Sequence, residues 1–204
     1  MTLRQSSGQA RAVFLDRDGT LIEDIGFLDR VDRVALYPWS IDAVRLLNRA
    51  GLRVVVTTNQ SGVARGYFTE GVVEAVHRRI SSCLADGGAH IDAYYYCPHH
   101  PEGTIDGYAQ PCDCRKPGRG LVDRAARELG IDPTRSFVVG DRWLDVRLAR
   151  AVGARGVLVR TGSGRAEEAE PMPEATADAV VDNLMSATSW ILKELRSSIE
   201  NHQW

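Results

Sequence analysis

Apolar residues in this chain fall into short continuous runs that alternate with longer stretches in which an apolar residue recurs once per helical turn. A short continuous run is typical of a strand buried on both faces, and the turn-spaced pattern is typical of an amphipathic helix. The runs predict six strands, at residues 13–15, 53–57, 91–96, 136–139, 156–159 and 179–181. The spaced stretches predict five helices, at residues 39–50, 69–85, 120–129, 144–152 and 184–199, with Thr69 as an N-cap. Strands and helices in alternation indicate an α/β fold with a parallel sheet covered on both faces.

Length and composition are those of an ordinary globular domain. We assign residues 11–204 of the 204-residue chain to a single domain and residues 1–10 to a flexible lead-in. Residues 162–176, rich in Gly, Pro, Ala and Glu, are expected to form a surface loop. The formal net charge of −2 gives no sign of nucleic-acid binding, and no apolar run is long enough to span a membrane. The polar N-terminus lacks the apolar core of a signal peptide, which favours the cytoplasm, and we expect a monomer.

Two acidic residues, Asp16 and Asp18, follow the first predicted strand directly. Because side chains alternate along an extended chain, both carboxylates are expected to point into the same crevice. Two carboxylates that close repel each other unless a cation or a shared proton lies between them, so the pair predicts a bound metal or a raised pKa. The alternative is an ordinary turn at the end of a strand, where Asp and Gly are common.

Two further polar motifs occur near other element ends. Thr58 and the Gly-containing turn after it can donate hydrogen bonds to phosphate oxygens, or can simply cap a helix or form a turn. Arg115 and Lys116 precede a predicted helix and suit a phosphate or a carboxylate, although basic pairs in such places are usually solvated.

A third motif, Asp141 and Asp145, follows the fourth predicted strand. Asp141 can join Asp16 around Mg²⁺, which takes oxygen ligands and keeps several waters. Asp145 can either orient the site or cap the next helix. Ligands of parallel sheets bind beyond the carboxyl ends of the strands, which is where these motifs lie, so the sequence predicts one site at that edge.

The cysteines indicate a metal site and not a disulfide framework, because three of them cluster with a histidine in one loop, residues 97–114. Three thiolates and an imidazole are the ligand set of a closed structural zinc site, here Cys97, His99, Cys112 and Cys114. His100 is an alternative ligand, and free buried thiols are the alternative to metal. Cys83 stands apart and is interpreted as a small apolar residue. The loop leads directly into Arg115, so its order is expected to govern where the neighbouring cations lie.

The order of these motifs closely resembles that of the haloacid dehalogenase superfamily of phosphotransferases, on the residues Asp16-Arg17-Asp18-Gly19-Thr20, Thr58, Lys116, and Gly140-Asp141 with Asp145. The resemblance implies a three-layer α/β/α, Rossmann-like fold with a central parallel sheet. No segment is long enough for a large cap domain, so we expect an open site bordered by loops.

The same resemblance implies roles for individual residues. Asp16 would be the nucleophile that forms an aspartyl-phosphate, and Asp18 the general acid and base. Thr58 and Lys116 would hold the phosphoryl group. Mg²⁺ would be bound by Asp16, the backbone carbonyl of Asp18, and Asp141. Since Asp18 must be protonated when the leaving group departs, its pKa should be raised by Asp16 or by burial.

Within the superfamily, the zinc loop is similar to that of the D-glycero-D-manno-heptose-1,7-bisphosphate 7-phosphatases, in the stretches at residues 95–101, 112–117, 58–66 and 68–70. Histidinol-phosphatases share the zinc loop and the Asp motif, but their loop is usually shorter than the twelve residues between His99 and Cys112 here. The implied reaction is Mg²⁺-dependent removal of the 7-phosphate from a small phosphorylated sugar, giving heptose 1-phosphate. Histidinol phosphate or another small phosphomonoester is the alternative substrate. A non-catalytic, zinc-stabilised binding protein is the alternative from a different class.

The resemblance also implies a set of substrate-binding residues: Asp24, Ile25, Gly26, Phe27, Asn59, Gln60, Ser61, Arg115 and Arg142. Arg115 is the best candidate for the distal phosphate or the sugar, because a guanidinium suits bidentate phosphate recognition. Arg65 is a second candidate, with a solvated loop arginine as the alternative. Arg142 stands where a lysine also occurs in the family, which leaves its role open. Heptose phosphates feed lipopolysaccharide, surface-layer glycans and nucleotide sugars, and the sequence does not choose among these pathways.

Overall fold

The structure, a computed structural model, describes residues 9–173 and 175–200. Its centre is a six-stranded sheet in the order β3-β2-β1-β4-β5-β6, in which every neighbouring pair is parallel. The strands are β1 (Ala12–Leu15), β2 (Arg53–Asn59), β3 (Ala93–Cys97), β4 (Phe137–Gly140), β5 (Arg155–Val159) and β6 (Ala179–Val181). All six predicted strands are therefore confirmed, to within a few residues at their ends.

Six α-helices connect or flank the strands within the described residues: α1 (Ser40–Arg49), α2 (Glu70–Asp86), α3 (Gly120–Leu129), α4 (Trp143–Val152), α5 (Gly164–Ala169) and α6 (Leu184–Glu200). Two short 3₁₀ turns, Val31–Arg33 and Pro133–Arg135, lie in connecting segments. None of the helices in this described part is long and apolar enough to cross a membrane.

Alternation along the strands builds a core on each face of the sheet. Val13 and Leu15 of β1 pack in a cluster with side chains of α1, α2 and α6. Phe14, between them, packs in the other cluster with side chains of α3 and α4. Because both faces are covered, the strands need apolar residues at every position, which is why they appear as continuous runs in the sequence. The predicted three-layer α/β/α fold is confirmed, and the structure shows no large cap among the described residues.

β1 ends at Leu15 as predicted, so Asp16 and Asp18 follow the strand directly. Other element ends differ from the sequence-based expectation. β2 continues to Asn59 and carries Thr58 inside the sheet, paired with Tyr96 of β3. Thr69 occupies the N-cap position of α2, but its side chain makes no capping hydrogen bond.

The prediction of a surface loop at residues 162–176 was wrong in part, because this segment contains helix α5. Trp143 holds this helix in place: its backbone N–H donates to the Glu167 carboxylate at 2.8 Å and its indole N–H to the Glu167 carbonyl at 2.6 Å. The helix is therefore stabilised by tertiary contacts that local composition does not reveal.

The N-terminal lead-in is fastened at its last residue. Ala10 donates a backbone hydrogen bond to Gly130 at 2.8 Å and accepts one from Asp132 at 2.9 Å. Residues 1–8 of the predicted lead-in lie outside the described part of the chain.

Candidate active site

A cavity opens at the carboxyl edge of the sheet, where the predicted polar motifs meet. Twelve residues proposed from the sequence line it: Asp16, Asp18, Asp24, Gly26, Phe27, Thr58, Asn59, Gln60, Ser61, Arg115, Lys116 and Arg142. Gly62, Phe68 and Leu144 complete the lining and were not singled out in the sequence. The structure thus brings loops that follow β1, β2, β3 and β4 to one place.

Three proposed residues do not line this cavity. Ile25 is at the surface, with 38% of its area exposed. Arg65 lies against the cysteine loop (residues 97–114), with its guanidinium 3.3 Å from the ring Nε2 of His100 and 3.6 Å from the Glu102 carboxylate. Asp141 is fully buried beside Asp16.

The buried ammonium of Lys116 is the centre of the site. Its Nζ lies 2.8 Å from the Asp16 carboxylate and 2.6 Å from that of Asp145, and it donates to the Thr57 carbonyl at 2.9 Å. Burial lowers the pKa of Lys116, but the carboxylates of Asp145 and Asp16 outweigh burial and leave that pKa above its usual value. Lys116 is therefore a fixed positive charge, and the Asp145 carboxylate orients it.

The backbone of Lys116 is held from β2. Asn59 accepts from the Lys116 backbone N–H at 2.9 Å and donates to the Lys116 carbonyl at 3.2 Å. These paired bonds fasten the backbone that follows the cysteine loop (residues 97–114) to the sheet, so the position of the ammonium does not depend on the side chain alone.

Three buried carboxylates, those of Asp16, Asp141 and Asp145, each place one oxygen within 4.8 Å of the others. Asp141 Oδ2 accepts from the Ser163 backbone N–H at 2.7 Å, whereas Asp141 Oδ1 has no hydrogen-bond partner. Burial and the charge of Asp16 raise the pKa of Asp141 to about 8. An unpartnered, buried oxygen in a crowded acidic cluster fits a hard cation such as Mg²⁺, whose charge would offset the repulsion.

Glycines make room for the Asp141 carboxylate. A side chain at Gly19 or at Gly162 would place its Cβ 2.2 Å from Asp141 Oδ2. Both glycines have positive φ angles, of 79° and 54°, which other residues rarely adopt. The Asp141 carboxylate is thereby enclosed by backbone on two sides.

The Asp18 carboxyl group lies at the edge of the cavity. Burial raises its pKa, and the charge of Asp16 raises it further, while Arg17 opposes both effects. The predicted direction of the Asp18 pKa shift is confirmed, with burial as the larger cause.

Other polar groups surround the floor of the cavity. Thr58 is buried, and its hydroxyl oxygen accepts from the Gln60 amide at 2.9 Å. Arg115 has a buried guanidinium nitrogen, Nη1, without a hydrogen-bond partner. At the mouth, the Arg142 guanidinium faces the Asp24 carboxylate at 3.6 Å. The unpaired Arg115 nitrogen and the Arg142 guanidinium are suited to an anionic ligand.

The loop cysteines and His99 meet at one point beside β3. The Cys114 sulfur lies 2.9 Å from that of Cys97, 3.3 Å from that of Cys112 and 3.3 Å from Nδ1 of His99. A tetrahedral zinc site has sulfur–sulfur separations of about 3.8 Å, so the four ligand atoms are gathered at nearly the required spacing. His100 contacts Arg65 instead, which favours His99 as the ligand.

The cysteine loop has a second anchor on α2. The Glu70 carboxylate accepts hydrogen bonds from the hydroxyls of Tyr96, at 2.6 Å, and Tyr108, at 2.5 Å. Tyr96 belongs to β3 and Tyr108 to the loop, so one carboxylate ties the loop to the sheet and to a helix.

Comparison with known proteins agrees with this geometry. The HAD-hydrolase-like family model matches residues 113–187. The D-glycero-β-D-manno-heptose-1,7-bisphosphate 7-phosphatase of Salmonella typhi is 44% identical over 185 residues, which cover 90% of this chain and 96% of that protein. The Escherichia coli K12 enzyme of the same name is 43% identical over 185 residues, covering 90% and 94%. The chain belongs to the D-glycero-D-manno-heptose-1,7-bisphosphate 7-phosphatase family.

Solved structures of family members have the same fold. D,D-heptose 1,7-bisphosphate phosphatase from B. bronchiseptica, complexed with magnesium and phosphate, superposes with a TM-score of 0.79 at 35% identity, covering 90% of this chain and 99% of that one. The protein of the same name from Burkholderia thailandensis gives a TM-score of 0.66 at 30% identity, covering 89% and 98%. The family assignment from the motifs is confirmed.

The sequence alone did not single out Arg17, a charged residue that is buried in this heptose-bisphosphatase fold. Arg17 is 1% exposed, although it stands between the two acidic residues of the first motif. Alternation along an extended chain directs Arg17 away from the side on which Asp16 and Asp18 lie, and Arg17 does not line the cavity. The signal available in the sequence was a cation at the end of an apolar run, where burial is costly without a partner.

Proposed function

We propose that this protein is a Mg²⁺-dependent phosphatase that removes the 7-phosphate of D-glycero-D-manno-heptose 1,7-bisphosphate and leaves heptose 1-phosphate. The observation that carries the proposal is the Asp16 carboxylate in the cavity, 2.8 Å from the buried ammonium of Lys116. A carboxylate held beside a fixed cation is suited to attack a phosphate dianion, which would otherwise repel it. Family membership supports the choice of substrate.

In the first step, a carboxylate oxygen of Asp16 attacks phosphorus and the bond from phosphorus to the sugar oxygen breaks. Lys116 and Thr58 hold the phosphoryl oxygens during this transfer. Mg²⁺, held by Asp16, the Asp18 backbone carbonyl and Asp141, would supply further positive charge to the transferring group. Asp145 keeps the Lys116 ammonium in place throughout.

Asp18 moves the protons in this proposal. It gives its proton to the departing sugar oxygen, and then, as a carboxylate, accepts a proton from the water that attacks the aspartyl-phosphate. Its raised pKa favours the protonated form that the first step needs. The cycle ends with inorganic phosphate and with Asp16 and Asp18 in their starting states.

Arg115 is proposed to bind the phosphate that is not transferred, or the sugar. Replacing Arg115 with methionine should raise the KM for the heptose bisphosphate by about tenfold to a hundredfold, the usual value of a charge-assisted hydrogen bond, and should change kcat less. Arg115→Lys should recover little, because an ammonium cannot form two parallel bonds. Steady-state kinetics with both variants test this, and an unchanged KM would remove Arg115 from substrate binding.

Zn²⁺ is proposed to be held by Cys97, His99, Cys112 and Cys114 as a structural ion. Elemental analysis of the purified protein should give one zinc per chain. Cys114→Ser should lower the zinc content and reduce the unfolding temperature by on the order of 10 °C, because structural zinc contributes directly to folding free energy. Cys83→Ser is the matched control, since Cys83 lies on α2 away from the cluster. Equal effects of the two substitutions would argue against a zinc site.

The proposed reaction is accompanied by proposals on the substrate class, the cellular compartment, the oligomeric state and the pathway. The substrate is a small phosphorylated sugar, and we propose a cytoplasmic, monomeric enzyme that acts in heptose biosynthesis. The Arg142 guanidinium at the mouth and the unpaired Arg115 nitrogen are positive groups that suit a phosphorylated ligand.

Initial rates of phosphate release test the proposed function. Both anomers of D-glycero-D-manno-heptose 1,7-bisphosphate should be compared with histidinol phosphate, with Mg²⁺ present. We expect the higher kcat/KM with a heptose anomer. A higher value with histidinol phosphate would replace the substrate and keep the Asp16 chemistry. Failure to hydrolyse any phosphomonoester would support the non-catalytic binding protein instead.

A further inference from the structure

A buried arginine, Arg17, forms an ion pair with the Asp18 carboxyl group. The Arg17 guanidinium donates from Nε to Asp18 Oδ2 at 3.1 Å and from Nη2 to Asp18 Oδ1 at 3.1 Å. The Arg17 side chain is 1% exposed, whereas that of Asp18 is 20% exposed. All four distances from Arg17 Nε and Nη2 to the two Asp18 oxygens lie between 2.9 and 3.2 Å, so both oxygens contact both nitrogens and the carboxyl group is held across this edge of the guanidinium.

Two further side chains hold this arginine in place. Gln60 accepts from Arg17 Nη2 at 2.8 Å through its Oε1 and donates to Asp18 Oδ2 at 2.9 Å through its Nε2. Gln60 thus bridges the arginine and the carboxyl group, and its amide can satisfy both contacts in only one orientation.

His77 of α2 closes the network on the other side. Its Nε2 lies 3.4 Å from Arg17 Nη1, and its ring stacks on that of Tyr94, with centroids 4.5 Å apart and planes 19° apart. Burial, and then the charge of Arg17, lower the pKa of His77 to about 3. A neutral imidazole can accept from the guanidinium, so the arginine has a partner on each of its three sides.

Burying the Arg17 charge costs free energy that a purely structural role for this side chain would not require. An apolar side chain of similar volume would pack at the same place without the penalty for burying a charge. The Arg17 guanidinium instead pairs with Asp18, the one carboxyl group that is proposed to change its charge during the reaction. Arg17 and Gln60 occupy the inner side of that group, which leaves its 20% exposed side toward the cavity.

We propose that Arg17 is a positioning residue for proton transfer: together with Gln60 and His77, it holds the Asp18 carboxyl group toward the leaving oxygen of the substrate. This inference rests on the proposed phosphatase function and adds to it. In the step concerned, the bond from Asp16 oxygen to phosphorus forms, the bond from phosphorus to the leaving oxygen breaks, and the Asp18 proton passes to that oxygen. The carboxylate left on Asp18 is then paired with Arg17.

Two substrates with different leaving groups distinguish a positioning role of Arg17 from a purely structural one. An alkoxide needs a proton as it departs, whereas p-nitrophenolate is stable enough to leave without one. Because kcat/KM covers the steps up to release of the leaving group, it excludes the later hydrolysis of the aspartyl-phosphate. We expect Arg17→Met to lower kcat/KM for the heptose bisphosphate by about 10²-fold, and for p-nitrophenyl phosphate by less than about threefold.

Matched variants complete the experiment. Asp18→Asn should give the same dependence on the leaving group, since it removes the acid itself. Arg53→Met is the control, because Arg53 is a half-exposed arginine at the opposite end of β2, paired with Asp92. His77→Phe keeps a ring against Tyr94 and removes the acceptor for Arg17, so it should give a smaller loss, again confined to the alkyl phosphate. If Arg17→Met does not fold, His77→Phe decides the question.

Equal losses on both substrates, or no loss on either, would overturn the positioning role. The proposed function can fail separately. If the wild-type enzyme hydrolyses another alkyl phosphate but not the heptose bisphosphate, the same pair of measurements is made with that ester, and a loss confined to it still supports Arg17.

Discussion

Replacing Asp16 with asparagine is expected to lower phosphate release by about 10⁴-fold or more, because a neutral amide cannot attack phosphorus. The reason lies in the surroundings of Asp16. Its carboxylate lines the cavity and lies 2.8 Å from the Lys116 ammonium, so it is both accessible to a substrate and held in place. Initial rates on the heptose bisphosphate, with Mg²⁺ in excess, measure the effect.

Asp92→Asn is the matched control for this variant. The side chains of Asp16 and Asp92 are similarly buried, 11% and 8% exposed, but Asp92 lies next to the start of β3, at the other edge of the sheet. The control should keep nearly full activity even if both variants lose some stability. An Asp16→Asn enzyme with more than about a tenth of wild-type activity would rule out Asp16 as the nucleophile.

Replacing Lys116 with methionine is expected to have the second largest effect, on stability as well as on activity. The substitution leaves the buried carboxylates of Asp16 and Asp145 without their cation, and breaking a buried ion pair in this way typically costs about 3–5 kcal/mol of unfolding free energy. Activity should fall by about 10²- to 10³-fold, because the developing charge on the phosphoryl group loses a preorganised donor. Urea unfolding and initial rates measure the two effects.

The chain offers a close control for Lys116. Lys193 is the only other lysine in the sequence and is exposed on α6, so Lys193→Met should change neither quantity. Adding Asp145→Asn to Lys116→Met should restore part of the lost stability, since it removes one unpaired charge, and should leave activity low. A double variant less stable than Lys116→Met would show that charge imbalance does not cause the loss.

The sheet was predictable because its strands are buried on both faces. Val54, Val55 and Val56 are all fully buried, and burial of every side chain is what makes such a strand visible as a run. The site followed from the same pattern, because Asp16 and Asp141 come directly after β1 and β4, which are neighbours in the sheet. The order of the strands and motifs along the chain was therefore enough to predict where most of the site residues lie.

Contacts between distant side chains were not predictable in this way. The bond from Lys116 to Asp145 joins residues 29 positions apart and gave Asp145 a role that its place in α4 left open. Likewise, helix α5 depends on the contact of Glu167 with Trp143, and the burial of Arg17 depends on Gln60 and His77. These features arise from packing between elements, which local patterns do not encode.

The most direct test of the proposed reaction follows both phosphates of the substrate during one experiment. Phosphorus-31 NMR of D-glycero-D-manno-heptose 1,7-bisphosphate, with the wild-type enzyme and Mg²⁺, separates the signals at C1 and C7. If the enzyme removes the 7-phosphate, the C7 signal disappears, one equivalent of inorganic phosphate appears, and the C1 signal persists as heptose 1-phosphate. Loss of the C1 phosphate first, or no change with either anomer, would contradict the proposed reaction.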